Sequence, residues 1–213
     1  IYGMKVYERP GIGTMAVDQQ NRCYYDPEFV ARNTLDQNAY TLLHEALHVV
    51  LRHCAVMKKL IGDRPAKEIL EIANIAVDLV VEQLLRGGLE KHRPEGGVFY
   101  EEYGFPPNLS APEYFRLLMQ QQDQQPQGGQ GQGQGADQPQ PGGSGADGVP
   151  RPYEEPADSS WDSHGNDRML MQLEEAIAQH EAKQKSDPAY RAKNPGTVPG
   201  ALKQAIGAKL RPQ

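Results

Sequence analysis

The stretch TLLHEALHVVLRHC, residues 41–54, sets three of the chain's six histidines and a glutamate inside an apolar segment. No other feature narrows the fold as much. Tyr40, Leu43, Leu47, Val50 and Leu51 recur at helical spacing, so the segment reads as a helix packed into a core. Burying two imidazoles and a carboxylate without partners is costly, so such a helix demands a second element that satisfies them. On it His44 and His48 stand one turn apart on one face, with Glu45 a single step round from His44. This H-E-x-x-H order suits two imidazoles holding a zinc ion and a carboxylate beside the water that the metal activates.

A catalytic zinc commonly takes three protein ligands and leaves one position for water. His53 and Cys54 are the nearest candidates in sequence. On an unbroken helix His53 points about 180° away from His44, which makes it a surface or capping residue unless the helix breaks. The spacing that recruits a third histidine six residues after the second fails, because Cys54 occupies that position. The next helix offers more. Over Ala66–Arg86 it is apolar almost all round, yet Glu71, Asn74, Asp78 and Glu82 form a polar stripe along it. Buried carboxylates need a partner, and a divalent cation is a strong one. Glu71 and Glu82 can also face solvent, whereas Asp78 sits between Val77 and Leu79.

Further elements follow from local signals. Thr14–Tyr25 alternates like a hairpin around Gln19-Gln20-Asn21, giving a small antiparallel sheet, and Asp26-Pro27 reads as a turn. The motif helix is expected over Asp36–Leu60, stopping near Gly62. Ser110-x-x-Glu113 is a capping box that opens a helix over Ala111–Met119. Residues 121–150 are a Gln/Gly/Pro-rich tract without hydrophobic period, expected to be a disordered linker. Limited proteolysis should cut it first, and uniform protection from hydrogen exchange would contradict that. Beyond it, helices are expected over Asp167–Lys185 and Pro199–Leu210, too small for a core of their own. The expected organisation is therefore a domain over 1–120, a linker over 121–150 and a helical segment over 151–213. That segment docks on the first domain or leads to a further globular domain after Gln213.

Composition narrows the function. A net charge of −6 without a Lys/Arg cluster argues against a nucleic-acid surface. No run of eighteen apolar residues is present, so no membrane association is expected. Cys23 and Cys54 fit two reduced thiols in a cytoplasmic protein better than a disulfide.

Several stretches together carry a family resemblance: GTMAVDQQNRCYYDPEFV, LLHEALHVVLRH, ANIAVDLVVEQLL, FPPNLSAPEYFRLL and NPGTVPGALKQAI. They resemble the metal-dependent peptidases whose metallopeptidase-like domain precedes a von Willebrand factor A-like domain. The resemblance spans most of the chain outside the Gln/Gly tract. It implies an α+β, zincin-like fold, mainly helical, with His44, His48 and Asp78 as zinc ligands; Asn74 is a supporting or substitute group, and Asn74 and Glu71 are the alternatives for the third position. Glu45 is then the general base for hydrolysis of a peptide or protein substrate. Tyr100 or Tyr103 is a candidate for oxyanion support, and the strand around Met15–Asp18 for aligning an extended peptide. A non-catalytic reading uses the same ligands: a zinc-stabilised interaction module that works with an attached von Willebrand factor A-like domain.

Overall fold

The computed structural model describes residues 4–62, 67–86, 89–94, 98–124, 155, 164–193, 200, 203–204 and 206–207. They fall into two compact units, one spanning Lys5–Ala157 and the other combining Ile1–Met4 with Asp158–Gln213. The first unit runs β1 (Lys5–Glu8), β2 (Met15–Val17), β3 (Arg22–Tyr25), α1 (Pro27–Arg32), α2 (Leu35–Val50), α3 (His53–Ile61), α4 (Lys67–Leu85) and α5 (Ala111–Gln124). Two short 3-10 turns, Glu90–His92 and Tyr100–Tyr103, lie between α4 and α5. The architecture is mainly helical with one three-stranded sheet.

The sheet order is β1-β3-β2. β2 pairs antiparallel with β3, Met15 opposite Tyr25 and Val17 opposite Cys23, while β1 pairs parallel with β3 from Lys5–Arg22 to Glu8–Tyr25. The sheet is thus mixed, not antiparallel as the sequence suggested. The hairpin announces itself through its turn, where the Asp18 carboxylate accepts the Gln20 and Arg22 backbone N–H groups. β1 is a short, largely exposed edge strand, KVYE, with no apolar alternation strong enough to mark it.

Asp26 ties this sheet to the helices. One of its oxygens caps α1 through the Glu28 N–H, and the other accepts Gly11 N–H at 3.0 Å and Gly13 N–H at 2.7 Å. Those glycines hold φ of 87° and 71°, the left-handed region that this tight loop requires. Burial alone would raise the Asp26 pKa, but the N–H groups of Gly13, Glu28, Gly11 and Phe29 hold it below the ordinary carboxylate value. Asp26→Ala is expected to cost about 1–3 kcal/mol in urea unfolding, the sum of a lost cap and two lost charge-assisted bonds. Because the folded pKa is depressed, this contribution is complete above the unfolded carboxylate pKa. It disappears as pH falls through the folded value, so wild type and variant should converge in acid.

The long helix expected over Asp36–Leu60 is two helices. Thr34 and Gln37 form a capping box that starts α2. α2 stops at Val50, because Arg52 adopts a left-handed conformation, φ 57° and ψ 41°, and its carbonyl accepts the first N–H groups of α3. For a non-glycine residue that conformation costs roughly 1–2 kcal/mol. α4 is enclosed as its composition demands. Ala73 and Val77 pack with Met57 and Ile61 of α3 and Ala111 of α5, while Ala76 and Leu79 pack with Phe105, Tyr114 and Leu118. The stretch of α4 that holds Asp78 and Glu82 lies against α2.

α5 continues to Gln124, so the first residues of the expected linker are helical. Glutamine is a fair helix former, and Gln121 anchors the last turn by donating to the Tyr103 carbonyl at 3.0 Å. Residues 125–150 of the tract lie outside the described residues. Beyond it, Glu155 joins the first unit: its N–H reaches the Tyr24 hydroxyl at 3.0 Å, its carbonyl accepts from Arg22 at 2.7 Å, and its carboxylate pairs with Arg9. In the second unit α6 (His164–Ser186) starts earlier than expected and is followed by α7 (Pro188–Lys193), a helix the sequence reading left out although Asp187-Pro188 marks its start: the Asp187 carboxylate accepts the Ala189 and Tyr190 N–H groups. Leu170 and Ile206 are fully buried there. The helix expected over 199–210 falls mostly outside the described residues.

Candidate metal centre

The pairing of α2 with α4 builds one cluster. His44 and His48 present Nε2 atoms 3.0 Å apart, and Asp78 Oδ1 lies 3.1 Å from His48 Nε2 and 3.5 Å from His44 Nε2. All three residues are buried, and together they can hold a metal ion. The triangle has the right size. Bonds of about 2.0–2.1 Å to a tetrahedral ion put neighbouring donors about 3.3 Å apart. Asp78 Oδ1 approaches both imidazoles without an aligned hydrogen bond, which leaves a buried oxygen lacking a directed donor. Its other oxygen accepts from Asn74 at 3.3 Å.

Electrostatics point the same way. Burial acts to lower the His44 pKa, yet the adjacent Asp78 and Glu82 carboxylates outweigh it and raise the value well above that of a free imidazole. For His48, burial wins and lowers it, helped by the charge on His44. Burial tends to raise the Asp78 pKa, but the two imidazoles pull it below the ordinary value. Two carboxylates drawing a proton onto a buried histidine mark a place where positive charge is favoured, and a divalent cation competes for the same donors.

Each imidazole is also held from its far side. His44 Nδ1 lies 3.1 Å from Glu82 Oε1, and the Tyr40 hydroxyl donates to Glu82 Oε2. Glu82, which the sequence allowed to face solvent, is 3 % exposed. The signal was present, since Glu82 stands one turn beyond Asp78 on the same face of α4. His53 is the larger correction: it is buried rather than superficial, with Nδ1 3.0 Å from His48 Nδ1. The break at Arg52 returns it to the cluster. Glu71 is the stripe residue that does face solvent, paired with Lys67 on its own helix.

Glu45 is 1 % exposed and close enough to His44 and Asp78 for their charges to act on its carboxylate. One carboxylate oxygen takes the Val17 backbone N–H, and the other, Oε2, is buried with no partner. In the β2–β3 ladder, Thr14, Ala16 and Asp18 alternate with residues whose amides turn away from β3, so Val17 N–H points off the sheet edge. That N–H is directed toward Glu45. Burial pushes the Glu45 pKa up to about 8, with Asp78 adding and His44 opposing. Of the tyrosines, Tyr100 accepts a hydrogen bond from Arg86 at 2.8 Å, whereas the Tyr103 pKa is raised by burial first, with the Glu102 and Asp78 charges adding. Cys23 and Cys54 are both free, and burial pushes the Cys23 thiol up to about 12.

Among the described residues no helix is long and apolar enough to cross a membrane. Comparison with curated proteins and with solved structures gave no significant match. A family comparison did: residues 1–213 match the model described as "Putative metallopeptidase domain". With a buried His-His-Asp triad on two packed helices and a match over its whole length, the chain belongs to that metallopeptidase-domain family.

Proposed function

We propose that this domain is a zinc-dependent peptidase of zincin-like design, with His44, His48 and Asp78 as ligands and Glu45 as general base. The observation that carries the reading is Glu45 Oε2, a buried, unpartnered carboxylate oxygen beside three converging donors. A structural metal site has no use for it. Zinc held by the triad would supply a Lewis acid and lower the pKa of its water toward neutrality. Glu45 takes the proton of the attacking water at Oε2 and returns it to the amine nitrogen that leaves as the peptide bond breaks. The Val17 N–H engages one carboxylate oxygen, which leaves Oε2 to take the proton.

The substrate is a peptide or protein chain. From the family resemblance, a von Willebrand factor A-like domain is its working partner. Metal analysis of purified protein should find one zinc per chain, lost in His48→Ala, and the zinc-loaded protein should cleave members of a broad peptide library. Zinc without cleavage, in a chain carrying its partner domain, would replace this reading with the non-catalytic interaction module.

A further inference from the structure

We propose that His53 is a positioning residue that holds His48 in the tautomer able to bind a metal, an inference that rests on the metal centre proposed above. His53 begins α3, and its place in the cluster depends on the interruption between α2 and α3. Had α2 continued, the His53 side chain would project from the opposite face to His44. The left-handed Arg52 ends α2 instead and swings His53 inward. Strained backbone persists where surrounding contacts over-determine it, and here it returns one imidazole to another. The rings meet edge to face, centroids 5.0 Å apart at 72°, with the two Nδ1 atoms 3.0 Å apart in a buried setting.

Two facing Nδ1 atoms share one proton, and its location sets what His48 can do. With the proton on His48 Nδ1, His48 Nε2 carries a lone pair aimed at Asp78 Oδ1 and His44 Nε2. With the proton on His53 Nδ1, His48 accepts there and a neutral His48 must carry its hydrogen on Nε2, which blocks the metal position. His53 therefore serves as acceptor, with its own hydrogen on Nε2. The two proposed ligands are in this way held by different chemistry: His44 by the Glu82 carboxylate, His48 by a neutral imidazole.

Nitrogen-15 NMR of the histidines in zinc-loaded wild type tests this without mutation. His48 should be protonated at Nδ1 and metal-bound at Nε2, and His53 protonated at Nε2 only. A proton on His53 Nδ1 in that sample overturns the proposal. Two variants add an affinity readout. His53→Phe fills the space but accepts nothing, and zinc affinity should fall about 10–100-fold. His53→Asn places a carbonyl oxygen where Nδ1 stood, and should recover affinity to within a few-fold of wild type, with metal-free thermal stability measured for both. Equal affinity in wild type and His53→Phe overturns the role of His53 while leaving the metal centre standing. Failure of the wild type itself to bind zinc overturns both.

Discussion

Replacing Glu45 by glutamine is expected to leave zinc content unchanged while slowing peptide hydrolysis by a factor of about a hundred or more. The substitution is well matched to the site. Glutamine keeps the side-chain volume in a position that is 1 % exposed, and its carbonyl oxygen still accepts the Val17 N–H. Only the unpartnered oxygen changes, from a proton acceptor to an amide nitrogen that can take no proton. Zinc by elemental analysis and turnover of one cleavable peptide are the two measurements, and they must part company. Loss of zinc in Glu45→Gln would make Glu45 a structural member of the centre, and retained turnover would remove it from the chemistry.

The second large effect belongs to Asp78. Asp78→Ala should weaken zinc binding by more than the 10–100-fold typical of losing an outer partner, because it removes one of three donors outright. Asp78→Asn keeps the shape and can keep the contact to Asn74, so it separates lost charge from lost packing. Glu82→Gln should fall between wild type and Asp78→Ala, within that 10–100-fold range, since Glu82 holds His44 through Nδ1 without joining the triangle of donors. Competition titrations against a chelator order the three. If Glu82→Gln proved as damaging as Asp78→Ala, Glu82 would be a ligand; if Asp78→Ala bound zinc like wild type, the triad would be wrong.

Relations within a single helix were legible from the chain alone. The four-residue step between His44 and His48, the neighbouring Glu45 and the polar stripe on α4 all follow from a period of 3.6 residues, which needs no knowledge of the fold. The same period places Glu82 on the Asp78 face, a reading open to the sequence once Asp78 was turned inward. Local chemistry also marked the Thr14–Tyr25 hairpin and the Ser110 capping box. The Gln/Gly tract kept its compositional signature, but composition did not reveal that its first residues extend α5 to Gln124.

What lies between elements was decided by packing. Arg52 carries no residue signal for a left-handed turn; glycine or asparagine would have marked the break, and arginine adopts it only because α2 and α3 are each anchored in the core on either side. That break turned His53 from an outward position into the neighbour of His48. The parallel partner of β3 was equally hidden, since a four-residue exposed edge strand buries too little to impose a pattern on its sequence. The sequence by itself determined which residues share a face, because periodicity is a property of one helix or strand. Only the tertiary structure decided which faces meet, because that depends on how α2, α3 and α4 bury their apolar surfaces against one another.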